Sequence, residues 1–506
     1  MQLLTDVTPL REHAAFRRLW LGTMLSRTGS AMTAFATTLQ VYNLTRSTAA
    51  VGGVGLATLI PILVITLPGG AIADRMDRRR LVLAVTAGQV AVSIALFALT
   101  ALGDASLWAL YALVAAGSAL GAVAAPAWQT FIPRLVPDGQ LAAAMALSRI
   151  IFQVVMIAGP ALAGLVTAQA GLGGCYLADI ASFLGAAWGV GRMPGMPPET
   201  GVASGTGVAS EASMAPETNV SPETNVSPET GAAPGTGVVP KTGVAPETGP
   251  AGERPRSGLA LAVEGVAFIR RTQALYGAFL ADLNATFFAL PTSLFLAINA
   301  ERFGGSPQTL GLLTTAIGVG GLVSAVLAGP LRHASRLGLV MLACVAVWGG
   351  AFALFAVAPS LWLTLLALAL AGLVDTFTVV IRGMIVQAAT PDELRGRVNA
   401  ADFLVGVGGS QLGSLEAGLV GSLTTPVISA LSGGLLTVFG AVAIGVALPG
   451  FSRYRAQPEE PRREEPRREE PPQEEPRRQE PRRADPGAPP SLSAPAPGGP
   501  SLGGTG

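Results

Sequence analysis

The chain has 506 residues, of which 50% are apolar and 13% charged, and its formal net charge is +1. Soluble domains carry about 25% charged residues, so a soluble fold would lack the surface for this much hydrophobicity. Cys175 and Cys344 both lie in apolar runs and imply no disulfide framework.

About 20 apolar residues at 1.5 Å rise cross a hydrocarbon core of roughly 30 Å, and only helices or closed barrels satisfy the backbone there. The apolar runs are too long for barrel strands, so the sequence predicts an all-α membrane protein. Taken in chain order, the runs place spans at 19–43, 51–73, 81–102, 107–131, 143–168 and 172–191. The first lacks a small-residue cleavage site and reads as a span, not a signal peptide. A second set follows at 273–297, 309–330, 337–357, 361–388, 399–422 and 427–448. Twelve transmembrane helices in two six-helix bundles are therefore expected, residues 1–193 forming the first bundle and 258–455 the second.

Between them, 194–257 repeats variants of PETG and PETNV, a composition that neither nucleates a helix nor buries a core. It reads as a flexible cytoplasmic linker, which keeps the NVS at 219–221 away from glycosylation. The stretch GLALAVEGVAFIRR, 258–271, has the apolar spacing of a short interfacial helix leading the second bundle. From 456 to 506, like-charge pairs alternate around proline and predict a disordered cytoplasmic tail.

Arginine placement orients the array. With both termini inside, the inner turns receive Arg17, Arg18, Arg75, Arg78, Arg79, Arg80, Arg134, Arg192, Arg270, Arg271, Arg336, Arg395 and Arg397, while the outer turns keep Arg46 and Arg302. This is the positive-inside pattern, and it predicts a multi-pass protein of the inner (plasma) membrane.

The turn GGAIADRMDRRR, 69–80, concentrates charge between the second and third spans. Gly70 permits close helix approach. Asp74, with Arg75, Arg78 and Arg79 just beyond it, can pair with a basic group or cap a neighbouring helix, and either contact can break when two halves separate. The spacing reads as a gating latch, and the arginines also anchor the turn inside. At 390–398, TPDELRGRV sits where PRLVPDGQL, 133–141, sits in the first set, as expected for two repeats. Asp392 and Glu393 fall at a helix amino terminus, and Arg395 and Arg397 are placed to pair across to the other half when the outer side opens.

Six plus six spans, a central linker, and Gly70, Asp74, Arg75, Arg78 and Arg79 in this spacing resemble the major facilitator superfamily, although Asp77 stands where its signature usually has glycine. The corresponding turn GPLRHASRLGLV, 329–340, keeps Gly329, Arg332 and Arg336 without the Asp. GPALAG, 159–164, resembles the antiporter signature of that superfamily and otherwise only shapes a bend. Finer resemblance, to the enterobactin (catecholate siderophore) exporter family, is carried by HAAFRRLWL at 13–21, GPLRHASRLGLVML at 329–342, TPDELRGRVNA at 390–400 and LVGSLTTPVISALSGG at 419–434. It implies proton-driven export of a catecholate-type siderophore. Efflux of drugs or antibiotics by the same fold is the alternative.

Ionisable groups at membrane depth are expensive and mark cavities or partners. Candidates are Arg27, Arg149, Asp179, Asp282, Asp375, Arg382, Asp402 and Glu416, with Arg149 and Asp402 near span ends and so readable as interfacial. Arg27 and Arg382 would receive an anionic catechol or carboxylate. Asp282 and Asp375 suit proton coupling, Asp375 sharing a face with Arg382 two turns away. Asn284 could add a neutral hydrogen bond to substrate, with interhelical contact an equal reading. The expected partners are a small-molecule substrate, the lipid bilayer and protons, with no nucleic acid, and the protein is expected to be a monomer. His13 and His333 make no metal centre, and no phosphate-binding G-x-x-x-x-G-K-[ST] element occurs, so neither a cofactor nor an enzyme is expected.

Overall fold

The computed structural model describes residues 6–75, 77–192, 258–289, 292–327, 329 and 336–455. The linker at 194–257, the tail at 456–506, and Arg332 and His333 lie outside the described residues, so those expectations are not met by any structural observation. Among the described residues there is no strand.

The first half comprises α1 (Thr8–Glu12), α2 (Ala14–Thr45), α3 (Thr48–Arg75), α4 (Arg78–Leu102), α5 (Leu107–Leu135) and α6 (Asp138–Gly191). The second comprises α7 (Gly258–Arg271), α8 (Gln273–Phe288), α9 (Thr292–Arg302), α10 (Pro307–Leu327), α11 (Leu337–Val357), α12 (Leu361–Ala389), α13 (Asp392–Leu423), α14 (Pro426–Ala447) and α15 (Pro449–Ser452). Nine segments of the described residues are long and apolar enough to cross a membrane.

Helix ends follow local chemistry. Asp77 caps α4 by accepting from the Arg80 amide at 3.0 Å, Ser106 caps α5 through Ala109 at 3.3 Å, and Thr425 caps α14 through Ile428 at 3.1 Å. Each satisfies an amide that the helix itself leaves unpaired. Helix α4 ends at Gly103, in the left-handed region at φ 75°. Gly171, at φ 69° and ψ −175°, folds α6 into two limbs, so the expected fifth and sixth spans meet without an intervening loop.

The seventh span, expected over 273–297, is covered by α8, which ends at Phe288, and α9, which begins at Thr292, and the stretch from Gln273 to Arg302 is long and apolar enough to cross a membrane. Residues 293–299 of α9 are buried, and Phe295 packs tilted against Phe355 with ring centroids 5.1 Å apart. The last long helix does the reverse and exposes Leu435, Leu436, Phe439, Val442 and Val446, an apolar face suited to lipid.

Side-chain contacts define two ends of the helix array. At the first end, Arg79 donates to the Gly191 carbonyl, Trp20 donates to Leu147 O at 2.9 Å, and Glu12 accepts from Gln140 at 2.7 Å. At the second, Gln40, Thr100 and Tyr176 form a hydrogen-bonded group, and Arg302 donates to Ala358 O at 3.4 Å.

Candidate functional site

Three helices of the second half bring four ionisable residues together. Helix α8 carries Asp282, α12 carries Asp375 and Arg382, and α13 carries Asp402. The Arg382 guanidinium pairs with the Asp282 carboxylate and, through Nε, with Asp402 Oδ1 at 2.9 Å. Arg382 is 5% exposed, and Asp282 and Asp402 are 4% exposed each. Asp375 is partly exposed on α12 and lies in the field of both Asp282 and Arg382. A fork of five donors is suited to holding two carboxylates from different helices at once. With both carboxylates ionised, one guanidinium offsets only one of the two negative charges, and an ionised Asp375 adds another.

This geometry bears on three readings. Asp402, read as lying near a span end, is a buried partner of Arg382. Arg382 is engaged on both sides of its guanidinium, so it does not stand open to an anionic ligand in this conformation. Asn284 is committed to interhelical contact, its side-chain amide donating to Thr437 O of α14 at 2.9 Å.

In the first half, Arg27 opens onto a cavity of about 240 Å³ between α2, α4, α5 and the second limb of α6. Its other walls include Ser30, Gln89, Trp128 and Phe183. One guanidinium, hydroxyls and aromatic rings form a wall that can receive a planar, anionic organic group. Asp179 lies close by on α6, buried, with hydroxyl partners.

The halves meet through two helix pairs, α3 with α13 and α6 with α10, and through α3 with α9. Glycine makes these approaches possible. A Cβ on Gly164 would come within 2.7 Å of the Pro307 carbonyl, one on Gly311 within 2.7 Å of Pro160 O, and one on Gly52 within 2.8 Å of Leu415 Cα. The GPALAG run thus has a task beyond bending α6, since Pro160 and Gly164 both face α10. Hydrogen bonds between the halves run from mid-helix to the second end among the described residues: Gln153 Nε2 to Gly318 O at 2.9 Å, Thr315 Oγ1 to Ile157 O at 3.2 Å, and Thr48 Oγ1 to Gly418 O at 2.8 Å. Sequence spacing did not single out Gly52 or Gly311, because a close approach is a property of two helices together.

At the first end, the side chains of Gly70, Asp74 and Arg75 lie outside the described residues. Arg78 and Arg79 open α4, and Arg79 is joined to the end of α6. Arg395 pairs with Asp392 one turn away at 2.9 Å, and Arg397 pairs with Glu264 of α7 at 2.7 Å. Among the described residues, neither arginine reaches across to the first half in this conformation. The short helix expected over 258–271 is present and packs on α13, with Gly265 against the Arg397 backbone.

Comparison with known proteins agrees with this architecture. A family profile described as "Transmembrane secretion effector" matches residues 4–203, and one described as "Major Facilitator Superfamily" matches 274–494. The enterobactin exporter EntS of Shigella boydii serotype 18 is 25% identical over 448 residues, covering 88% of this chain and 93% of the relative. Among solved structures, a bacterial homolog of the human lysosomal transporter Spinster, inward-facing and unoccupied, superposes with a TM-score of 0.60 at 13% identity, covering 88% of this chain and 99% of that one. The nucleoside transporter NupG gives 0.61 at 12% identity over 87% and 100%. With profiles matched in both halves and the fold shared along their length, the chain belongs to the major facilitator superfamily, a family of multi-pass membrane transporters.

Proposed function

We propose that this protein is a secondary transporter that exports a small organic molecule, a catecholate-type siderophore, by proton-coupled alternating access. The observation that carries the reading is the glycine-lined closure of the second end, where backbone meets backbone across the halves and hydrogen bonds cross between them. A carrier that alternates needs one sealed end and one unsealed end, and glycine-to-backbone contacts can part without leaving charge exposed.

The reading takes the membrane body as two six-helix bundles. Nine candidate segments, the doubling of α6 at Gly171, and the long helices α2 and α10 together supply twelve crossings. Arginine bias at the first end supports placing that end, and both termini, in the cytoplasm. The closed second end then faces outward, and the conformation is inward-facing. Residues 194–257 join the bundles as a cytoplasmic connection.

Arg27 receives the anionic oxygens of the substrate. Asp282, Asp375 and Asp402 outnumber Arg382, so a proton taken up by one carboxyl lowers the excess negative charge, and at Asp282 or Asp402 it also frees a donor of Arg382. Gly70, Asp74, Arg75, Arg78 and Arg79 form the latch at the first end. When that end closes, Arg395 and Arg397 exchange their present partners for groups on the first half. The substrate class comes from the likeness to a named enterobactin exporter.

The test is uptake of a labelled, iron-free catechol siderophore into inverted membrane vesicles, with a proton gradient applied and then collapsed. Uptake that follows the gradient supports export of this class. Folded protein that takes up cationic or neutral drugs but no catechol moves the substrate to drug or antibiotic efflux, and absence of gradient dependence removes proton coupling.

A further inference from the structure

Asp179 sits about two turns beyond the fold of α6 at Gly171 and is 1% exposed. Its Oδ2 accepts from Thr33 Oγ1 of α2 at 2.8 Å and from Ser93 Oγ of α4 at 2.7 Å. Ser182, one turn on, donates to the Asp179 carbonyl at 2.7 Å and lies 3.5 Å from Oδ1. Oδ1 is the less engaged oxygen. Gly29 keeps the space beside it open, since a Cβ there would come within 2.7 Å.

None of these partners carries charge. The ionisable groups on the surrounding helices are engaged elsewhere or lie apart from it: Arg27 opens onto the cavity, Tyr176 donates to Gln40 at 2.7 Å, Cys175 lies 3.2 Å from Thr167, and Arg78, Arg79 and Arg80 begin α4 at the first end. An ionised carboxylate held in a dry interior without a counter-charge is costly, and hydroxyls offset only part of that cost.

Access comes from the neighbouring cavity. On α2 its wall includes Ser30, one turn from Thr33; on α4, Gln89, one turn from Ser93; on α6, Phe183, beside Ser182. The cavity and the carboxylate cage therefore occupy consecutive turns of the same three helices. A space of about 240 Å³ with polar walls has room for several waters.

We propose that Asp179 is a proton-binding site of the first half, loaded from water in the Arg27 cavity. A hydronium in the cavity gives up one proton and remains as water, and an O–H bond forms on Oδ1. Thr33 and Ser93 keep their places because a hydroxyl can rotate between donating and accepting. The occupant is a proton and not a metal cation. Hydroxyl oxygens 2.7 and 2.8 Å from the carboxylate are at hydrogen-bond spacing and leave no room for an ion between them. This site is separate from Asp282 and Asp375, and it does not rest on the transport reading.

The test is infrared difference spectroscopy of the purified full chain in lipid nanodiscs, titrated with pH in the presence and absence of sodium. The carbonyl stretch of a protonated carboxyl should grow as pH falls and lose one component in Asp179→Asn. In Ser93→Ala, which keeps the carboxyl but removes a donor to its anion, that component should move to higher pH by roughly one unit, the worth of one hydrogen bond to a charged group. If Asp179→Asn does not fold, the Ser93→Ala shift alone decides. A titration identical in wild type and both variants overturns the proposal, as does one that sodium displaces.

Discussion

In the second half, Asp282 and Asp402 share one guanidinium, whereas in the first half Asp179 is held by hydroxyls from α2, α4 and its own helix. Both arrangements bury carboxylate among membrane helices, but they meet its desolvation differently. Arg382 supplies formal charge and ties α8, α12 and α13 together, so losing it strands two anions. The hydroxyls around Asp179 supply only dipoles, so losing one leaves the rest in place. Ion pairs make the second half sensitive to charge removal, and neutral hydrogen bonds make the first half tolerant of single losses but open to a change of protonation.

The largest effect is expected at Arg382. Arg382→Gln leaves Asp282 and Asp402 buried without a cation, a loss of about 3–5 kcal/mol when one member of a buried pair is removed. Thermal unfolding of purified protein should show a large fall in stability, and an unchanged melting curve would mean that the carboxylates are already neutral. Next, Asp402→Asn keeps Arg382 paired with Asp282 and removes one of the excess negative charges. It should cost roughly 1–3 kcal/mol, the worth of a hydrogen bond to a charged group, and its melting curve should fall between those of wild type and Arg382→Gln.

The turn between the second and third spans sharpens the same contrast, because its counterpart at 329–340 has no aspartate. Asp74→Asn should slow transport about tenfold, the equivalent of one charge-assisted contact, with abundance in the membrane unchanged. Equal flux in proteoliposomes would remove Asp74 from the latch. Thr33→Val should have the smallest effect, about 0.6 kcal/mol as for an average interhelical hydrogen bond in a membrane. A loss in melting as large as that of Arg382→Gln would show that the hydroxyl cage carries as much stability as the ion pairs.

Legibility in the sequence followed the range of the interaction. The helix predicted at 337–357 matches α11, and the junction near Gly171 falls where the chain turns, because apolar length and backbone preference are properties of consecutive residues. Likewise, the short helix expected over 258–271 depends on neighbours a few positions away.

The sequence by itself determined that this chain is a helical membrane protein, where its charged turns lie, and which ionisable residues enter apolar segments. Only the tertiary structure decided that Arg382 would join Asp282 and Asp402, that Asn284 would turn to Thr437, and that Asp179 would meet hydroxyls and no cation. Entry into a membrane is set by a helix's own composition. Partnership is set by the rotation of each helix about its axis, which packing against neighbouring helices fixes and no single segment contains.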